Sequence, residues 1–156
     1  MSLQATTMQA EGSVLIASPI GTVFEFVCDA GVTAEAITPL EDHIVSQGRL
    51  GLGWAGQVEV EIAARVVRCQ YRCTEFEPPT RLVLEIEGDV PGKQMFTLAE
   101  ELGHTRLNMS FGCVVPPGAP AYFREEPTRS RFAQTLVSQT LSNIQAALEV
   151  GLPPHP

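Results

Sequence analysis

Between His43 and Val115 apolar and polar residues alternate with a period of two, the spacing of strands with one covered face. "WAGQVEVEIA" sets Val58, Val60 and Ile62 against Gln57, Glu59 and Glu61. "VVRCQYRCTEF" sets Val67, Cys69, Tyr71 and Cys73 against Arg68, Gln70 and Arg72. Leu82, Leu84 and Ile86 oppose Glu85 and Glu87, and Thr105, Leu107, Met109, Phe111 and Cys113 make the last stripe. "SVLIA", residues 13–17, reads as a strand ahead of this block. Turns fall at residues 48–53, Pro78-Pro79, 88–92 and Gly103-His104.

Two stretches carry a helical period instead. Ser18 suits an N-cap and Pro19 a first helical position, which predicts a helix to Cys28 with Val23, Phe24 and Val27 on one face. A short second helix fits Thr33 to Ile37, stopped by Pro39. After "VVPPGAP" the chain runs into "TRSRFAQTLVSQTLSNIQAALEVG". There Phe132, Leu136, Val137, Leu141, Ile144 and Leu148 form an apolar stripe. Gln134, Ser138, Gln139, Ser142, Gln145 and Glu149 form the wet face; Thr128 suits the start and Gly151 the end.

The order strand, one or two helices, strands, long helix specifies a two-layer α+β domain. Its sheet is a curved antiparallel one of six to seven strands around the C-terminal helix. The domain is expected over residues 11–151, with 1–10 and 152–156 as flexible tails. Phe132, Leu136, Leu141 and Ile144 are expected to pack on Val58, Val60, Tyr71 and Leu84. A curved sheet holding one helix leaves room for a cavity between them.

Composition narrows the partners. The chain has 156 residues, 44% hydrophobic and 18% charged, with a formal net charge of -8. That acidic balance argues against sequence-independent nucleic-acid binding and a polybasic membrane role. No apolar run is long enough to span a bilayer, and no signal peptide is visible. Cys28, Cys69, Cys73 and Cys113 form no CxxC pair and have no histidine at ligand spacing, so they read as reduced core thiols in a cytoplasmic protein without metal or cofactor.

Four stretches together resemble the START-like (SRPBCC, helix-grip) superfamily, and within it the polyketide cyclase/dehydrase-like branch. "IASPIGTVFEFVCD" resembles the first strand and helix start, and "GRLGLG" the Gly-x-Gly strand entry. "YRCTEFEPPTRL" is similar to the strand–corner–strand signature, and "GHTRLNMSF" to the Gly-x-Thr-Arg-Leu strand start. Proline donates no backbone hydrogen bond, so Pro78-Pro79 reads as that corner, anchored by Phe76 and Leu82. Two departures stand at the family's cavity mouth: "AEAITPL" has no aromatic residue, and Trp54 follows Gly51-Leu52-Gly53.

The resemblance implies a cofactor-free domain that binds a hydrophobic or aromatic small molecule. It leaves open a cyclase/dehydratase-like enzyme that works by positioning its substrate, and a co-chaperone-like interaction module without ligand. Trp54, Tyr71, Met109 and Phe111 are the candidate ligand-binding residues, with Met95 a further apolar pocket candidate; no catalytic residue is assigned. His43 has no visible acid or nucleophile partner, His104 falls in a turn, and Asn108, Glu59 and Glu61 face outward by alternation. No GxSxG, HExxH or Walker pattern occurs, and Gly51-Leu52-Gly53 lacks the third glycine of a dinucleotide loop. Oligomeric state, a homodimer included, stays open.

Overall fold

The computed structural model describes residues 7–29, 42–44, 51–62, 65–89, 91–115 and 128–149, with 42–44, 58–62 and 65–67 as backbone only. The expected Thr33–Ile37 helix, residues 116–120 of the "VVPPGAP" break and the C-terminal "LPPHP" lie outside those residues, as do the side chains of His43, Val58, Glu59, Val60, Glu61 and Val67.

Strand β1 spans Thr7–Ile16 and helix α1 Ile20–Val27. Strands β2 (Asp42–Ile44), β3 (Ala55–Ile62), β4 (Arg65–Glu77), β5 (Arg81–Gly88), β6 (Gly92–Glu101) and β7 (His104–Val114) follow. Helix α2 covers Thr128–Glu149. The strands make one antiparallel sheet in the order β1-β7-β6-β5-β4-β3-β2. The α+β class, the sheet and the long terminal helix are thus as the periodicity specifies.

Strand β1 is longer than expected. Residues 7–10, placed in a tail by the sequence reading, pair with β7 from Thr7↔Val114 to Ala10↔Phe111. Met8 is buried among the core residues, which explains the extension. The start of α1 also moves by one residue. Pro19 is the N-cap, with φ -64 and ψ 150, and no side chain caps the helix. Ser18 is instead buried in the backbone junction: its N–H donates to Ile16 O at 2.8 Å and its carbonyl accepts Thr105 Oγ1 at 2.8 Å.

The proline corner stands as read. Glu77 O accepts the Thr80 N–H at 2.8 Å, and the Pro78-Pro79 peptide is cis. Leu98 N–H donates to Thr80 O at 2.9 Å, tying the corner to β6. Phe76 meets Phe24 of α1 with ring centroids 5.5 Å apart, and Leu82 is fully buried. Between Cys73 and Glu75 the β4–β5 register shifts, so the inward set passes from odd residues (Tyr71, Cys73) to even Phe76.

Helix α2 shares one core with Leu84 and Tyr71, and its backbone lies toward one side of the sheet. Its backbone runs closest to β1 and next to β7, not to the strands of Val58, Val60, Tyr71 and Leu84. Gly12 explains the choice: a Cβ there would lie 3.3 Å from both Leu141 Cδ1 and Val137 Cγ1, so the bare glycine lets the helix close on the strand. Val137, Leu141, Ile144 and Leu148 are buried, Phe132 and Leu136 only half-buried. Thr140 shares the buried face, its hydroxyl donating to Leu136 O at 2.7 Å.

The supposed wet face is partly occupied too. β1 is an edge strand whose outward backbone groups need partners. Gln134 Nε2 donates to Glu11 O at 3.4 Å and Gln145 Nε2 to Leu15 O at 2.9 Å. Glu149 Oε2 accepts the Ala17 N–H at 2.8 Å. Glu11 and Leu15 belong to the odd-numbered, edge-facing set of β1, and Ala17 continues it just past the strand's end.

Leu141→Ala should therefore cost about 2–5 kcal/mol of unfolding free energy, the usual loss for a buried leucine. An unchanged midpoint in chemical denaturation would mean that α2 does not hold the sheet.

Candidate functional site

The inner face of the sheet is organised in rows set by strand register. One row runs Cys73, Leu84, Gln94, Phe111, Ala10 across β4, β5, β6, β7 and β1. Trp54 extends it on the β3 side: its carbonyl accepts the Cys73 N–H at 2.8 Å, and Gly53 N–H donates to Cys73 O at 3.0 Å. The next row toward the β5–β6 turn is Tyr71, Ile86, Gly92, Cys113, Met8. On the other side lies Phe76, Leu82, Phe96, Met109, Gly12.

These rows bring the four sequence-derived ligand candidates onto one face. Met109 and Phe111 are buried on β7, while Trp54 and Tyr71 are half-buried against the same core. At their middle sits a residue that sequence reasoning missed. Gln94 is 0% exposed, and neither its Oε1 nor its Nε2 has a hydrogen-bond partner. Its register neighbours are Leu84 and Phe111, and along β6 Gly92 and Phe96. A buried donor or acceptor left unmade costs about 1–3 kcal/mol, so this amide is a real charge against the unliganded fold. The available signal was the alternation Gln94, Phe96, Leu98, all buried, against Met95, Thr97, Ala99.

Met95 is corrected by the same alternation. It pairs with Val83 and Ser110 and faces the outer side of the sheet. There it helps line a depression of about 430 Å³ with Glu11, Ser13, Thr97, Asn108 and Ser110. A neighbouring depression of about 570 Å³ is lined by Gln9, Lys93, Gly112 and Gln134 among others. Asn108 is thus outward, as expected, and His104 is exposed at the start of β7. Beside it Arg106 grips Glu101 with two bonds, Nη2 to Oε1 at 2.8 Å and Nε to Oε2 at 3.1 Å. That pairing lowers the Glu101 carboxyl below its ordinary value and raises the guanidinium.

The thiols are part of the inner face. None of the four cysteines is in a disulfide; Cys28, Cys73 and Cys113 are buried and Cys69 is half-buried. Burial raises the Cys73 thiol, opposed by its bond to Glu75 O at 3.5 Å. Cys113 is pushed up to about 12, first by burial and then by the nearby charge of Cys69. It is packed hard against the sheet: a Cβ on Gly92 would overlap Gly112 O and fall 2.7 Å from Cys113 Cβ. Among the described residues no group of three or more His, Cys, Asp and Glu could hold a metal ion. No described helix is long and apolar enough to cross a membrane.

No family model matches the sequence, and no curated protein matches it. Solved structures do. A conserved protein from Geobacillus kaustophilus superposes with a TM-score of 0.71 at 16% identity, over 92% of this chain and 96% of that one. Ara h 8.0201 gives 0.62 at 14% identity, over 91% and 97%. The chain has the helix-grip fold. DynU16, described as a putative protein in the dynemicin biosynthetic locus, gives 0.61 at 18% identity, over 92% of this chain and 48% of that one.

The raised Cys113 thiol makes stability depend on alkaline pH. An unfolded thiol ionises near the ordinary value of 9.0, whereas the folded one holds its proton to about 12. Stability is therefore complete below pH 9 and falls as pH rises toward 12, by up to about 1.4 kcal/mol per pH unit for the one group. Cys113→Ala should show a shallower loss than the parent across pH 9–11 in denaturant titrations. Equal slopes would show that Cys113 ionises as freely in the fold as out of it.

Proposed function

We propose that this helix-grip domain binds a hydrophobic or aromatic small molecule between its sheet and α2. The observation that carries the reading is the inner face of β4 to β7: an apolar surface with one buried, unpartnered amide at its centre. Small-molecule sites have this composition, mostly apolar with a few placed polar groups. The position of α2 is consistent with it: the helix backbone runs closest to β1 and β7, at the Ala10–Phe111 end of the row that holds Gln94. Trp54 and Tyr71, half-buried at the β3–β4 side, would form the polar-capable end and Met109 and Phe111 the apolar floor.

Binding rather than turnover is favoured by what faces inward. Among the described residues no Asp, Glu, His, Lys or Arg is buried; the buried polar side chains are Ser18, Gln94, Thr105 and Thr140. General acid–base catalysis needs such a group within hydrogen-bond reach of substrate. A cyclase-like activity would have to rest on positioning.

The test is a titration with 1-anilinonaphthalene-8-sulfonate. One saturable site per chain is expected, with a gain of about 2.7 kcal/mol in stability at a free concentration a hundredfold above Kd. Absence of saturable binding, with an unmoved thermal midpoint, would sink the ligand reading and leave the interaction module as the better one.

A further inference from the structure

We infer that Gln94 selects ligands that carry a cis donor–acceptor edge, as in a lactam or cyclic imide on a flat apolar ring system. The inference rests on the binding site proposed above and adds to it the polar chemistry that the site recognises. Three observations lead to it. Gln94 is wholly buried on the inner face. Both of its amide atoms lack partners, the Nε2 donor as well as the Oε1 acceptor. Its neighbours in register and along the strand, Leu84, Phe111, Gly92 and Phe96, offer no polar side chain to either atom.

The double vacancy decides the ligand class. A ketone or ether would accept from Nε2 and leave Oε1 unmade. An alcohol has only one hydrogen to give and would have to bridge both atoms with one oxygen. A lactam presents N–H and C=O side by side in one plane, the mirror of a primary amide edge. It would close two parallel hydrogen bonds and leave its hydrocarbon part for Phe111, Phe96 and Leu84. Such paired bonding discriminates strongly, because a ligand that lacks either half leaves a buried polar atom unpaired.

Three bicyclic probes of similar shape separate the possibilities: quinolin-2(1H)-one, its N-methyl derivative and naphthalene. The wild-type protein should bind quinolinone about tenfold or more tighter than either of the other two. In Gln94→Met, whose side chain has similar length and no amide, the three dissociation constants should fall within about threefold of one another. The Gln94→Met protein without ligand should also melt no lower than the parent, since a buried unmade amide has been removed. Equal binding of all three probes by the wild type would overturn the assignment of Gln94 while leaving the apolar site standing. Failure of all three to bind, naphthalene included, would overturn the site itself and this inference with it. The wild-type comparison decides the matter even if Gln94→Met does not fold.

Discussion

The closure of α2 onto the edge strand β1 is the contact on which the rest of the fold depends. It combines two kinds of complementarity along one line. At Gly12 the strand has no side chain, and Val137 and Leu141 occupy the space that a Cβ would need. To either side, Gln134, Gln145 and Glu149 bond to backbone groups of Glu11, Leu15 and Ala17. The apolar contact supplies the larger share of the stabilisation, since hydrogen bonds to exposed backbone add little net free energy. The polar contacts do something different. They fix the register of helix against strand and occupy an edge that would otherwise invite another strand.

The backbone of α2 runs closest to β1 and next to β7, at one margin of a sheet seven strands wide. The row from Trp54 to Ala10 starts far from that margin and ends beneath it, with Cys73, Leu84, Gln94 and Phe111 all buried. Helix α1 covers one end only, where Val23, Phe24 and Val27 are buried and Phe24 meets Phe76. Its start is anchored by the Thr105 hydroxyl on the Ser18 carbonyl. The scaffold is thus held at two margins, the β1 edge and the proline corner, with the rows around Gln94 between them.

The strands were legible because their period is two and their outer face is charged. Cys69, Tyr71 and Cys73, and the stripe from Thr105 to Cys113, face inward as alternation requires. The terminal helix was legible from its apolar stripe and the corner from its two prolines. What alternation could not supply was the identity of the surface that α2 meets, since an apolar stripe fits any apolar face. Nor could polarity separate solvent from a strand edge, so Gln134, Gln145 and Glu149 read as wet. Gln94 was hidden for the opposite reason. It is a polar residue in an inward position on a strand whose two faces are both mixed, and a polar residue in such a pattern defaults to the outside. Met95 was misplaced by the same ambiguity, an apolar residue on the outer face.

That ambiguity bears on what the site can be. A glutamine in the middle of an apolar face works against the unliganded fold, because its amide is stripped of water and given nothing in return. Leucine or methionine at that position would fill similar space without the loss. The cost is incurred on folding, before any ligand arrives, so the amide is already desolvated when a partner meets it. It also stands on β6, paired on both sides by β5 and β7, and is less free to reorient than a group on a loop. A preorganised, dehydrated polar group returns more free energy to a matched ligand than a hydrated one, and nothing to a mismatched one. Selectivity in a site of this kind would come less from its many apolar contacts, which any flat ring can make, than from this one amide.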